Sequence, residues 1–213
     1  AATTPMGRSG VAMLRLSGPD SLVIAQKMAP ATRSWIHGRV VVGFILHADG
    51  RVLDQVVLTT FIAPKSFTGE DTVEIGCHGN PLIVDAIIAR ATQLGARLAR
   101  PGEFTRQALL NDKLSMLKAE ALNELIHASS IDGVSLAYKG LSGKIDQQEE
   151  LFRNQLLDIA AELEAKMDYP QEDLSFESDE QISQILSQLA HKARLSASSY
   201  QQNRIRLHGA KVA

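Results

Sequence analysis

The sequence predicts an α+β domain, built on a mixed sheet, followed by an incomplete bundle of α-helices. Three observations carry this. Up to residue 113, short apolar runs alternate with turn residues, and the apolar period switches between strand-like and helix-like. After Lys113 the apolar spacing is helical. The last residues, 204–213, turn β-like and apolar just as the chain stops. The boundary near residue 113 gives two domains, 1–113 and 114–213.

The elements follow in order. Residues 11–16, Val-Ala-Met-Leu-Arg-Leu, read as a strand ended by Ser17-Gly-Pro. Residues 20–28 read as a short helix with Asp20 as its cap. Residues 40–46 and 52–61 read as two strands joined by a hairpin, because Asp49-Gly50 supplies the positive φ that such turns need. Residues 73–77 alternate as another strand. Residues 80–94 form a helix with Leu82, Ile83, Ala86, Ile87 and Ala91 on one face, closed by Gly95. Beyond Lys113, Leu114, Leu117, Ala121 and Leu125 make one stripe, widened by Leu122 and Ile126. Phe152, Leu156, Ile159, Leu163 and Met167 make a second. An acidic, proline-containing break covers residues 168–177, and Ser178-Asp-Glu-Gln181 has the form of a capping box. Ile182, Ile185, Leu186, Leu189 and Ala193 follow as a third face.

Composition narrows the function. The apolar fraction of 45% supports a packed core and argues against wholesale disorder. Lys+Arg 22 against Asp+Glu 24 gives no global sign of nucleic-acid binding. One cysteine, Cys77, excludes an internal disulfide and a thiolate zinc cluster, and a reducing, cytoplasmic setting is the simplest expectation. No apolar run approaches the ~20 residues of a membrane span. Neither a P-loop nor a Gly-x-Ser-x-Gly elbow occurs.

Three charged residues stand out as ligand contacts. Glu74 lies between Val73 and Ile75, so it points away from them. A carboxylate on a solvated sheet face is the usual case, and one facing a pocket is the functional alternative. Its two oxygens would suit a heterocycle with adjacent N–H donors, such as a pterin or a guanine. Arg15 is a lone cation within residues 13–16, either snorkelling or ligand-facing. Lys113 follows Asn-Asp at what reads as a helix start, where a cation gains nothing from the helix dipole and an anionic partner becomes attractive. Cys77-His78-Gly79 reads as a buried thiol and a turn rather than a nucleophile or metal site. The basic residues Lys192, Arg194, Arg204, Arg206 and Lys211 read first as a solvated face.

Read together, several segments resemble the MnmE (or TrmE) family of tRNA-modification GTPases. They are residues 4–18, Ser66-Phe-Thr-Gly-Glu-Asp with the following Thr-Val-Glu74, Cys77-His-Gly, Arg100-Pro-Gly-Glu-Phe, Leu110-Asn-Asp-Lys-Leu, Lys118-Ala-Glu-Ala, Asp168-Tyr-Pro-Gln-Glu and the final Gly209-Ala-Lys-Val. The resemblance runs in order along nearly the whole chain. It implies a folate-binding N-terminal domain similar to that of aminomethyltransferases, then the first half of a helical domain into which a GTPase is inserted. It also implies a homodimer formed through the N-terminal domain, with 5-formyltetrahydrofolate held by Arg15, Glu74 and Lys113. The whole protein would use GTP, potassium and magnesium. With the partner protein MnmG it would form the 5-carboxymethylaminomethyl group on the wobble uridine of tRNA, away from any membrane. The β-like tail would then mark where the GTPase begins, and this chain would carry no catalytic residue of its own. Met6, Ser9 and Asn80 stand where the family usually has proline or glycine, and Ser115 and Lys118 replace an acid and an amide. Two other readings compete: a stand-alone folate-dependent one-carbon transferase, and a helical interaction module with the α+β part as a dimerisation platform.

Overall fold

A computed structural model describes residues 1–5, 7–168 and 178–208, with side chains of 144–146 and 199–208 left aside. The chain divides into two compact units, Ala1–Leu114 and Ser115–Ala213. The first is an antiparallel sheet with helices, the second is helical, so the class is α+β.

The sheet has four strands: β1 (Ser9–Ser17), β2 (Val40–Leu46), β3 (Val52–Phe61) and β4 (Thr72–Gly79), in the order β1-β4-β3-β2. Its three pairings are all antiparallel, where a mixed sheet was expected. Each strand folds back on its spatial neighbour without a parallel crossover, and β2–β3 close through the Asp49-Gly50 turn, with Gly50 at φ 85°. Alternation places Leu14, Val56, Leu58, Val73 and Ile75 on one face. That face is covered by α1 (Ser21–Met28) and α2 (Pro81–Gln93), which contribute Ile24, Met28, Val84 and Ile87 to a single core. The opposite face exposes an apolar stretch away from Arg15 and Glu74. Val40, Val42 and Phe44 of β2, Val57 of β3 and Val11 of β1 are exposed.

In the first unit the local signals hold except at the cap of α1 and at one unanticipated helix. Asn80 caps α2, its Oδ1 accepting from the Leu82 N–H, with Pro81 in the first turn. Its φ is −100°, so the absence of glycine there leaves the turn unstrained. Asp20 occupies the cap position of α1 but makes no side-chain capping bond. A helix absent from the reading, α3 (Glu103–Leu110), follows Arg100-Pro-Gly, with Gly102 at φ 72° before its first turn. It ends in a Schellman motif: the Asp112 N–H donates to the Leu109 carbonyl, the Lys113 N–H donates to the Ala108 carbonyl, and Asp112 sits at φ 52°. Lys113 therefore lies just past the end of a helix, three residues before the next, rather than at a helix start.

In the second unit, α4 (Met116–His127) is capped by Ser115, whose Oγ accepts from the Lys118 N–H. A further helix not anticipated, α5 (Ile131–Leu141), is capped by Ser130. It lies against α4 so closely that a Cβ on Gly140 would stand 2.8 Å from the Ala121 Cβ. Helix α6 (Lys144–Asp168) and α7 (Asp179–His208) join through Ile159, Ile182 and Leu189, with Phe152 and Ile185 beside them. The capping box forms as expected: the Ser178 N–H donates to Gln181 Oε1 at 2.7 Å, and the Gln181 N–H donates to Ser178 Oγ at 3.2 Å. The outer part of each stripe, including Met167 and Leu186, is exposed. The β-like reading of the tail fails over residues 204–208, which continue α7. Arginine, leucine and glutamine are good helix formers, and propagation of an existing helix is easier than starting a strand. The expected break at 169–177, the position of Met6 and the last residues, 209–213, lie outside the described residues.

Candidate functional site

Register brings two of the three candidate residues together. Arg15 on β1 is the cross-strand partner of Glu74 on β4. Val73 and Ile75 are buried, and Glu74 points to the other face beside Arg15. The Arg15 Nε and Nη2 both donate to one oxygen, Glu74 Oε1, at 3.0 and 2.6 Å. The side chains are 21% and 23% exposed, so the pair is partly desolvated yet reachable. The Arg15 guanidinium carbon lies 5.2 Å from the ring centre of Phe67 and 5.5 Å from that of Phe104. Stacking of this kind favours a planar cation.

Phe67 belongs to the loop between β3 and β4, which is fixed by hydroxyl groups. Ser17 Oγ lies 2.6 Å from Thr68 Oγ1 and donates to Glu70 Oε2 at 2.9 Å. Thr68 Oγ1 in turn lies 3.3 Å from Thr72 Oγ1, and both threonines are buried. The Ser66 hydroxyl and the Thr72 hydroxyl both donate to the Glu70 carbonyl. Buried polar groups satisfied this fully hold one geometry.

Lys113 is exposed and makes no hydrogen bond or ion pair through its ammonium among the described residues. It is tied to the same loop through its stem. A Cβ on Gly69, whose φ is 79°, would meet Asn111 Cβ and Lys113 Cγ, each at 3.0 Å. Asn111 Nδ2 donates to the Thr68 carbonyl at 2.7 Å. The loop thus touches Arg15 through Phe67 and Lys113 through Gly69. Past the C-terminal end of α3 the Lys113 cation is favoured by the helix dipole, the reverse of what a helix start would give.

A cavity of about 290 Å3 opens beside Arg15 and Phe104, lined also by Ser17, Glu70, Arg97 and Glu103. Glu74 and Lys113 lie outside its lining. Glu103 closes the Arg100-Pro-Gly turn: it pairs with Arg97 and accepts from the Arg100 N–H at 2.6 Å. The Arg97 side chain first, and then that N–H, hold the Glu103 carboxyl down at about 2.

Asp54 was missed in the sequence. It is buried, accepting the His78 N–H on Oδ2 at 2.8 Å and lying 2.7 Å from His78 Nδ1 on Oδ1. An aspartate within a strand-like apolar run was the signal in the sequence, and its partner lies 24 residues away. Cys77 is buried, and burial, then the charge of Asp54, push its thiol up. Gly79 is required by packing, since a Cβ there would lie 2.5 Å from the Ser9 carbonyl oxygen. Among the described residues no group of three or more His, Cys, Asp or Glu is arranged to hold a metal ion, and no helix is long and apolar enough to cross a membrane.

An α+β unit with a stacked arginine–carboxylate pair is followed along the chain by a helical unit, which makes this a two-unit α+β protein. Residues 1–113 match the family described as GTP-binding protein TrmE N-terminus, and residues 116–211 match the MnmE helical domain. The chain belongs to the MnmE family. It is 42% identical over 172 residues to the tRNA modification GTPase MnmE of Thermotoga petrophila, covering 81% of this chain and 38% of that protein. It is 40% identical over 189 residues to that of Chromohalobacter salexigens, covering 87% and 40%. It is 34% identical over 218 residues to that of Syntrophus aciditrophicus, covering all of this chain and 47% of that one. The chain thus spans less than half the length of these relatives.

Proposed function

We propose that this chain is the folate-binding and dimer-forming part of a tRNA-modification GTPase. Arg15, Glu74 and Lys113 are the contacts to 5-formyltetrahydrofolate. The carrying observation is the partly exposed Arg15–Glu74 pair, with two aromatic rings against the Arg15 guanidinium. Oε1 is taken up by Arg15, which leaves Oε2 as the acceptor for a heterocycle N–H. Lys113 offers an exposed cation to the anionic part of a folate. The apolar stretch formed by Val40, Val42, Phe44 and Val57 supports a homodimer through the first unit. The whole protein hydrolyses GTP with potassium and magnesium. In the cytoplasm, with MnmG, it builds the 5-carboxymethylaminomethyl group on the wobble uridine of tRNA. The match of residues 116–211 to the MnmE helical domain favours this over a stand-alone one-carbon transferase.

The test is calorimetric titration of the chain with 5-formyltetrahydrofolate, beside Glu74→Gln. The amide keeps the shape and an acceptor but loses the charge and half the acceptor capacity. Binding is expected in the wild type and about thirtyfold weaker in the variant, the equivalent of about 2 kcal/mol for a charged hydrogen bond. Equal affinity in both would remove Glu74 from the site.

A further inference from the structure

Arg15 is held in an unusual way. A guanidinium facing a carboxylate usually spreads its fork over both oxygens. Here Nε and Nη2 converge on Glu74 Oε1 alone. Among the described residues Glu74 Oε2 and Arg15 Nη1 carry no hydrogen bond. Those two bonds hold one guanidinium edge to a single point and leave its tilt to be set by other groups. The two groups placed to do so are Phe67, from the β3–β4 loop, and Phe104, from α3. Each comes from one of the two segments that stand out in the sequence, Ser66-Phe-Thr-Gly-Glu-Asp and Arg100-Pro-Gly-Glu-Phe. Both segments are braced independently of Arg15, the first by the Ser17–Thr68–Thr72 hydroxyls and the second by Glu103 on Arg97 and the Arg100 N–H.

We infer that Phe67 and Phe104 are positioning residues for Arg15. Their rings fix the guanidinium so that one carboxylate oxygen of Glu74 and one guanidinium edge stay available together. The available oxygen can accept an N–H from a ligand, and the available guanidinium edge can donate to a ligand carbonyl or anion. A free arginine samples many rotamers, and rings that hold it remove that loss from the binding step. A lysine would not serve, because an ammonium has no plane to stack.

The test has two arms, and only the second rests on the folate reading. In the first, the Arg15 Nε–H resonance of the free chain is observed by NMR and assigned by its loss in Arg15→Lys. It is expected to be ring-shifted and slow to exchange. Phe67→Leu and Phe104→Leu should return it towards the position of a solvated arginine, while Phe104→Tyr should keep it. Fluorescence of the single Trp35 checks that each variant is folded. An unchanged resonance in folded leucine variants would overturn the inference. In the second arm, each leucine variant is expected to bind 5-formyltetrahydrofolate roughly three- to tenfold more weakly, the range for a partly desolvated cation–π contact. The loss should vanish in an Arg15→Ala background. The same loss in both backgrounds would mean that the ring meets the ligand itself, and would overturn the positioning role. No binding by the wild type would overturn the folate reading, and the resonance arm would then decide the inference alone.

Discussion

Gly79→Ala should damage the first unit far more than Gly76→Ala, although both lie on β4 and neither requires a positive φ. A Cβ at position 79 would stand 2.5 Å from the Ser9 carbonyl oxygen and 2.8 Å from its carbon, against 3.4 Å for ordinary contact. The obstacle is backbone, so no rotamer relieves it. Strand β1 must move off β4 by roughly 1 Å where its register already shifts, between Ser9 and Ala12. Overpacking of that kind costs about 2–3 kcal/mol. For a unit of this size the loss lowers the melting point by roughly 10–15 °C. At position 76 the nearest atoms, Val57 Cβ and O, lie at 3.7 Å, so a methyl group fits. Removing a strand glycine there is expected to be neutral or to stabilise by about 0.5 kcal/mol. The assay is thermal and urea unfolding followed by Trp35, whose ring packs against the first unit's core and therefore reports that unit alone. Equal stability in the two variants, or a more stable Gly79→Ala, would refute the packing argument.

Two further expectations concern ionisation. Glu103 is held at about 2, below its ordinary value of 4.5, so its contribution to folding is complete above the ordinary value and is lost as pH falls towards 2. Glu103→Gln should flatten that part of an acid-unfolding curve, and an unaltered curve would show the turn to be held by other means. Cys77, with its thiol pushed up by burial, should alkylate with iodoacetamide at pH 8 at least about tenfold more slowly than a free thiol until the chain is unfolded. Rapid labelling of the folded chain, measured by mass spectrometry, would contradict its burial.

The elements legible in the sequence were those governed by local chemistry. Strands β2 and β3 fall on the expected residues because period and turn residues coincide there. The cap at Asn80 and the box at Ser178 follow from side chains a few residues away. The alternation that exposes Glu74 beside buried Val73 and Ile75 is a property of any strand. Helix α3 was illegible because its eight residues follow Pro-Gly and begin with a charge. Helix α5 carries Gly133 and Gly140, which weaken a helical signal, and Gly140 is explained only by the approach of α4. The misplacement of Lys113 follows directly from missing α3. That Arg15 meets Glu74 depends on a register between residues 59 apart, and that Phe67 and Phe104 meet Arg15 depends on a loop and a helix converging. Local pattern names the charged residues but not what they face.

The hydroxyl chain behind the β3–β4 loop has a property beyond rigidity. Taken pair by pair, either partner can donate between Ser17 and Thr68, and again between Thr68 and Thr72. Ser17 gives its proton to Glu70 Oε2 and receives from Thr68. Thr72 gives its own to the Glu70 carbonyl, so each of the three hydroxyls has its single proton committed. Loss of any one of them leaves a neighbour short of a partner, so the backbone that carries Phe67 and Gly69 rests on all three together.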